Sequence, residues 1–151
     1  MSAANVIRAT WAGEHRFDSA RAEGGPVMRL DGSAASGQSP VDAMLSALAA
    51  CSGIDVVDIM AKRRTPVERL SIEVTGTRRT EMPRRFEQLA LVYEIDGAGI
   101  ERVHVERAVQ LAFDKYCSVA ASFASDIQVE TVVVLNGERG AAVGQLIFSP
   151  V

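Results

Sequence analysis

The sequence is poor in the residues from which most metal and hydrolytic centres are built. Among its 151 residues are two cysteines, two histidines and one tryptophan, and aromatic residues make up 5% of the chain. Neither His15 nor His104 has another metal ligand at a typical spacing. A Gly-x-Ser-x-Gly turn and a glycine-rich phosphate loop are also missing, which argues against serine hydrolases and nucleotide-binding enzymes. We therefore expect neither a metal nor a cofactor.

Charge and hydropathy exclude two further classes. The formal net charge is −3 and the pI is near 5.4, a balance unsuited to binding nucleic acid or anionic membranes. The amino terminus has no apolar run of signal-peptide length, and we expect no segment approaching the roughly 20 apolar residues of a bilayer span. These features predict a cytoplasmic protein with no nucleic-acid or membrane partner, folded as a single domain over residues 1–151.

The apolar pattern predicts an α+β fold. A long helix should begin at Ser39-Pro40-Val41-Asp42, because a hydroxyl, a proline and a carboxylate stand at the positions that cap a helix start. Period-two alternation predicts strands, and period-3.6 stripes predict helices. The predicted elements are short strands and turns over 6–30, a loop over 31–39, a helix to about 64, a hairpin of strands near 70–77 and 86–95, a helix from about 101 to 117, a short helix over 118–125, a strand over 127–135 and a tail over 137–151 that could add an edge strand.

The two cysteines are the residues most capable of chemistry. Cys51 lies among alanines in the first long helix, and Cys117 lies where the second helix ends. Either thiol alone is most simply a small buried hydrophobe. As a pair, one thiol can be oxidised by peroxide to a sulfenic acid and the other can condense with it to a disulfide, provided that the sulfurs approach each other. Cations that could stabilise a thiolate precede the helix at Arg16, Arg21 and Arg29.

Four segments give the chain a family resemblance. They are Ala47-Leu48-Ala49-Ala50-Cys51-Ser52, Pro83-Arg84-Arg85-Phe86, Val105-Glu106-Arg107-Ala108-Val109-Gln110-Leu111 and Lys115-Tyr116-Cys117-Ser118-Val119. In this order they resemble the OsmC/Ohr family of osmotically induced and organic-hydroperoxide-resistance proteins. The resemblance covers roughly residues 27–135 and leaves 137–151 as a C-terminal extension. The continuation Gly53-Ile54-Asp55-Val56-Val57 is more similar to the uncharacterised OsmC-like branch.

The resemblance implies both a fold and an activity. The fold would be an intertwined homodimer in which antiparallel sheets wrap around two central cysteine-bearing helices. The activity would be that of a stress-response thiol peroxidase acting on organic hydroperoxides or hydrogen peroxide. Cys51 would be the peroxidatic thiolate and Cys117 its disulfide partner. A dithiol, possibly on a lipoylated protein, would then reduce the disulfide.

The resemblance also implies a role for an arginine, and here the chain departs from the family pattern. Arg29 is similar to the family arginine that holds the thiolate, whereas Val41 occupies the position of the glutamate that orients this arginine. Asp42 is the nearest carboxylate, about 100° further around the helix. The alternative is therefore a redox-sensing or small-molecule-binding dimer without efficient turnover. A third possibility is that Cys51 and Cys117 are both inert core residues.

Overall fold

Contacts within the chain form two compact units, and the boundary between them falls inside a long helix. The computed structural model describes residues 3–148, so the last residues of the tail lie outside the described part. The first unit runs to Met44 and the second begins at Leu45. Helices and strands are mixed along the chain, which confirms the α+β class. The single domain over 1–151 stays a prediction.

The first unit is a three-stranded antiparallel sheet. Its order follows the chain: β1 (Ile7–Trp11), β2 (Arg16–Arg21) and β3 (Met28–Asp31). Gly13 and Glu14 adopt positive φ angles in the turn between the first two strands, as a tight hairpin requires. The predicted short strands and turns are confirmed.

The loop after β3 is organised by Asp31. Its carboxylate accepts hydrogen bonds from the backbone and the hydroxyl of both Ser33 and Ser36, at distances of 2.7 to 2.9 Å. These bonds hold the pKa of Asp31 well below its usual range. The Asp31 amide also donates to the Gln38 carbonyl, so both ends of the loop are tied together.

The long helix α1 (Pro40–Lys62) begins as the sequence predicts. The Ser39 hydroxyl accepts from the Asp42 amide at 3.1 Å, and the Asp42 carboxylate accepts from the Ser39 amide at 3.4 Å. This reciprocal pair is a capping box, which satisfies backbone donors that a helix start leaves unpaired. The helix buries one stripe of side chains, which consists of Leu48, Ser52, Gly53, Val56 and Met60.

Judged by length and composition alone, α1 is long enough and apolar enough to span a membrane. Its most apolar 18-residue window has a mean hydropathy of 1.6, and only 28% of that window is buried within the chain. The expectation that no segment approaches a membrane span was therefore wrong. Alanines alternate with larger apolar side chains in this helix and raise its hydropathy without forming a continuous aliphatic run. Core helices of soluble proteins meet the same criterion.

The second unit contains a five-stranded mixed sheet. Its strands are β4 (Arg69–Arg78), β5 (Phe86–Asp96), β6 (Gln128–Leu135), β7 (Glu138–Arg139) and β8 (Val143–Leu146). The first two form the predicted hairpin, and β8 is the predicted edge strand of the tail, paired with β6. The expectation of purely antiparallel sheets was wrong in one detail, because β5 and β6 are parallel. A long helical crossover joins them, as parallel neighbours require.

The crossover carries the remaining helices and covers the sheet. Helix α2 (Arg102–Leu111) continues into a wider π-helical turn (Ala112–Tyr116), and a short helix α3 (Ser118–Ala121) follows. From Leu89 to Ile95, every second side chain of β5 is buried, since successive strand residues point to opposite faces. These side chains pack in a core with those of α2 and β6. The buried members include Leu89, Leu91, Tyr93, Ile95, Val105, Ala108, Val109, Val129 and Val133.

Candidate active site

Helix α1 supplies the first half of the candidate site. Cys51 is partly exposed, and the next residue, Ser52, is fully buried. Asp55 follows one helical turn after Cys51, so the two side chains share a helix face. Gly53 permits the close approach of β4, because a Cβ at this position would lie 2.9 Å from the Ile72 side chain. Gly53 lies about 200° around the helix from Cys51, so β4 packs against a different face from the one that carries the thiol.

The second half of the site is the junction between α2 and α3. The Cys117 amide donates to the Ala112 carbonyl at 2.7 Å, which closes the wide turn and ends the helix. Cys117 then adopts an extended backbone and caps α3, where its Sγ accepts from the Ala120 amide at 3.3 Å. Capping fixes the direction of the sulfur. The Cys117 side chain is only 4% exposed.

The structure brings the two predicted thiols together. Both cysteines are free, and Cys51 lies near enough to Cys117 to influence its pKa. Burial raises the pKa of Cys117 to about 11, the bond from the Ala120 amide opposes this shift, and the neighbouring Cys51 reinforces it. Cys117 is therefore protonated at neutral pH.

A buried hydroxyl pair lies beside the thiols. The Ser52 and Tyr93 hydroxyls are 2.8 Å apart, and Ser52 also contacts the Ala49 carbonyl at 3.3 Å. Burial is the main cause of a strongly raised pKa of Tyr93, with smaller contributions from the charges of Cys117 and Asp55. The phenol therefore stays neutral. Sequence analysis did not single out Ser52 or Tyr93, because their contact depends on the packing of β5 against α1.

Asp55 is the other residue that sequence analysis missed. Its Oδ2 atom is buried and has no hydrogen-bond partner among residues 3–148. Burial raises the pKa of Asp55, and the charge of Asp58 adds to this effect. A sequence signal did exist, since Asp55 lies four residues after Cys51 in a helix that is otherwise apolar around it. The site thus combines two thiols, two hydroxyls and a carboxylate.

Arg29 and Asp42 belong to the first unit. Arg29 on β3 lies directly across from Asp18 on β2 and forms a two-point ion pair with it, in which Nη2 donates to Oδ2 at 3.0 Å. This ion pair lowers the pKa of Asp18 and raises that of Arg29. Asp42 caps α1 instead. The carboxylate that orients Arg29 is therefore Asp18, which sequence analysis did not identify.

Comparison with known proteins identifies the family. A family model described as OsmC-like protein matches residues 32–132, which is more than half of the chain. The chain belongs to the OsmC family. The protein YhfA of Escherichia coli K12 is 35% identical over 113 residues, which cover 75% of this chain and 84% of YhfA.

Solved structures confirm the OsmC-like fold. An OsmC-like protein from Mycoplasma pneumoniae is 20% identical and superposes with a TM-score of 0.76, over 89% of this chain and 99% of that one. An organic hydroperoxide resistance protein OsmC from Legionella pneumophila is 13% identical, with a TM-score of 0.62 over 87% of this chain and 96% of that one. At these identities the likeness concerns the fold alone. The OsmC-like fold that the motifs implied is thereby confirmed.

Proposed function

We propose that this OsmC-family protein is a thiol-dependent peroxidase acting on organic hydroperoxides or hydrogen peroxide. The observation that carries this proposal is a pair of neighbouring free thiols, one partly exposed and the other buried, in which Cys51 influences the pKa of Cys117. An exposed sulfur can meet a substrate, whereas a buried sulfur is protected from it. Cys51 is therefore the peroxidatic cysteine and Cys117 the resolving cysteine. Membership of the OsmC family, whose fold organic hydroperoxide resistance proteins share, supports the proposed activity.

The reaction proceeds in two steps at the thiol pair. The Cys51 thiolate attacks the terminal peroxide oxygen, an S–O bond forms, the O–O bond breaks, and the leaving alkoxide or hydroxide takes a proton. Cys51 is then a sulfenic acid. The Cys117 sulfur attacks the Cys51 sulfur, the S–S bond forms, and the departing oxygen leaves as water. A dithiol reductant, possibly a lipoylated protein, returns the disulfide to two thiols. Neither a metal nor a cofactor takes part.

Arg29 is assigned the role of holding the Cys51 thiolate, on the basis of the family pattern. The ion pair with Asp18 supports this role, because a bidentate carboxylate holds a guanidinium in one orientation. Asp18 thereby takes the role of the family glutamate, whose position is occupied by Val41 in this chain. Asp42 is assigned no catalytic role, since its carboxylate caps α1.

The working form is proposed to be a cytoplasmic homodimer. The outward stripe of α1 is apolar and includes Ala50, Ile54 and Val57, of which Ile54 is 60% exposed. Together with Leu70 and Ile72 of β4 it borders an open groove of about 670 Å³. Small residues in this stripe allow two helices to approach closely, which suits the same helix of a second copy.

The dimer is tested by measuring mass in solution. Light scattering is expected to give twice the chain mass for the wild type and a large shift to monomer for Ile54→Glu. Exposed Glu73→Gln on β4 is the control and should remain dimeric. A monomeric wild type at micromolar concentration would exclude the proposed dimer.

The peroxidase proposal is tested with one equivalent of cumene hydroperoxide. Mass spectrometry of the reduced wild type is expected to show a disulfide between Cys51 and Cys117 after the reaction. Cys51→Ser should lose at least about 10³-fold in peroxide consumption, as removal of a nucleophile does. Cys117→Ser should consume one equivalent and stop with a sulfenic acid on Cys51. Two intact thiols in the treated wild type would refute the mechanism and indicate inert core cysteines.

A redox-sensing or ligand-binding dimer is the second candidate. Its supporting observation is Val41, which cannot accept a hydrogen bond at the position where the family carries a glutamate. Steady-state turnover with a lipoylated dithiol separates the two functions. Sustained turnover would support the peroxidase, whereas one slow oxidation per chain would support the sensor.

A further inference from the structure

Asp55 is a partly exposed residue with a buried carboxylate oxygen, Oδ2, to which the two-step reaction gives no task. It follows Cys51 by one helical turn, a spacing that brings Cβ atoms to about 5–6 Å from each other. Its Oδ2 has no hydrogen-bond partner within residues 3–148. After burial, which is the main cause, the charge of Asp55 contributes to the raised pKa of both Cys117 and Tyr93. The carboxylate therefore lies on the same helix face as Cys51 and near enough to Cys117 to influence its pKa.

Formation of the disulfide poses a proton problem that this carboxylate can solve. Cys117 is protonated at neutral pH, and a thiol is a far weaker nucleophile than a thiolate. Hydroxide, which must leave the Cys51 sulfur, is a poor leaving group unless it receives a proton. One proton must therefore leave the Cys117 sulfur, and one must reach the departing oxygen.

We propose that Asp55 relays this proton in the disulfide-forming step, an inference that rests on the proposed peroxidase function. The carboxylate accepts the proton from the Cys117 sulfur as that sulfur attacks Cys51. It then gives the proton to the oxygen that departs from Cys51, which leaves as water. Asp55 ends the step as it began, and no further oxidant or reductant is consumed.

The surrounding groups favour Asp55 for this task. The Tyr93 hydroxyl is bonded to Ser52, and its pKa is too high for it to accept or release a proton readily at neutral pH. Asp58 lies on the same helix but is exposed. Burial raises the pKa of Asp55, and the charge of Asp58 adds to this effect, so its carboxylate accepts a proton more readily than an exposed one.

The test separates the two steps in a single turnover. Quenched samples of the intact protein would be followed for peroxide consumption, for Cys51 sulfenic acid trapped by dimedone, and for the disulfide. Asp55→Asn is expected to leave peroxide consumption within about twofold and to slow disulfide formation by about 10²-fold. Asp55→Glu should restore part of the rate. The control Asp58→Asn removes a charge that only adds to the raised pKa of Asp55, so it should leave peroxide consumption unchanged and slow disulfide formation far less than Asp55→Asn does.

The pH dependence of the rate of disulfide formation distinguishes a proton relay from a merely structural role of Asp55. The titratable groups facing Asp55 are Cys51, Cys117, Tyr93 and, on its own helix, Asp58. Without the relay, disulfide formation depends on spontaneous ionisation of Cys117. Its rate in Asp55→Asn should therefore rise roughly tenfold per pH unit towards the pKa of that thiol, which is about 11. The wild type should be much flatter between about pH 7 and 9.

A second assay works even if the protein does not reduce peroxides. Cys51 is first converted to a mixed disulfide with thionitrobenzoate, a coloured leaving group that needs no proton. Attack by Cys117 then releases thionitrobenzoate, and Asp55→Asn should slow this release far more than Asp58→Asn does. Equal rates in Asp55→Asn and the wild type, or equal slowing by both variants, would overturn the relay. A wild type inert to peroxide but active here would refute only the peroxidase.

Discussion

The two units of this chain are stabilised by different kinds of interaction. Within residues 3–44, only two residues are buried, and both are polar: Ser19 and Asp31. Every hydrophobic side chain buried in the described chain lies in the second unit, from Leu48 to Ile147. The N-terminal sheet depends on an ion pair and a polar loop, whereas the C-terminal unit has a packed core.

The contrast indicates where a partner is needed. A three-stranded sheet requires a covered hydrophobic face for stability. The strands of the N-terminal sheet carry exposed apolar side chains at Ile7, Trp11, Phe17 and Met28. The second unit can bury its thiols without assistance. We therefore expect a second copy to matter more for the N-terminal sheet than for the thiol pair.

The largest expected difference is in stability. Leu48→Ala removes a fully buried side chain and should lower the free energy of unfolding by about 3 kcal/mol. Ile7→Ala removes a side chain that is 61% exposed and should cost under about 1 kcal/mol in dilute protein. Urea denaturation at two protein concentrations measures both. If a second copy covers β1, the loss in free energy of unfolding caused by Ile7→Ala should grow with protein concentration, whereas that caused by Leu48→Ala should not. A large loss for Ile7→Ala in dilute protein would show that the N-terminal sheet is stabilised by apolar packing within one chain.

The next effect concerns the ion pair of the N-terminal sheet. Asp18→Asn should slow oxidation of Cys51 by about tenfold, because Arg29 loses the carboxylate that orients it. Stopped-flow measurement of peroxide consumption tests this expectation. Arg21→Gln on the same strand is the control, since Arg21 is exposed and pairs with Glu23. An unchanged rate in Asp18→Asn would remove Asp18 from the mechanism.

The smallest effect is an acid response confined to the N-terminal sheet. The folded-state pKa of Asp31 is depressed, so its contribution to stability is complete above the ordinary pKa of 3.8 and is lost as the pH falls below that value. Trp11 is the only tryptophan and lies in this sheet, so its fluorescence reports the change.

Two variants test whether the acid response originates at Asp31. Asp31→Asn should weaken the dependence of Trp11 fluorescence on pH between about pH 4 and 2. Asp126→Asn breaks the ion pair with Arg85 in the second unit and should leave that dependence unchanged. An identical response in both variants would show that acid acts on the molecule as a whole.

Local patterns predicted much of the fold. The capping box of Ser39 and Asp42, the hairpin of β4 and β5, and the edge strand of the tail all depend on residues close in sequence or on simple alternation. The parallel pairing of β5 and β6 escaped prediction because alternation does not give the direction of a neighbouring strand. Asp18 escaped because its partner Arg29 is set by the register between two strands.

The sequence by itself determined the family, the candidate cysteines and the places where helices begin and end. These features depend on short motifs and on local backbone hydrogen bonding and conformation at a few residues. The folded structure was needed to show that Cys51 and Cys117 are neighbours, that Cys117 keeps its proton, and that one oxygen of Asp55 is buried without a hydrogen-bond partner in the described chain. The physical reason is that contact and desolvation depend on packing between distant segments, which determines the pKa of each group.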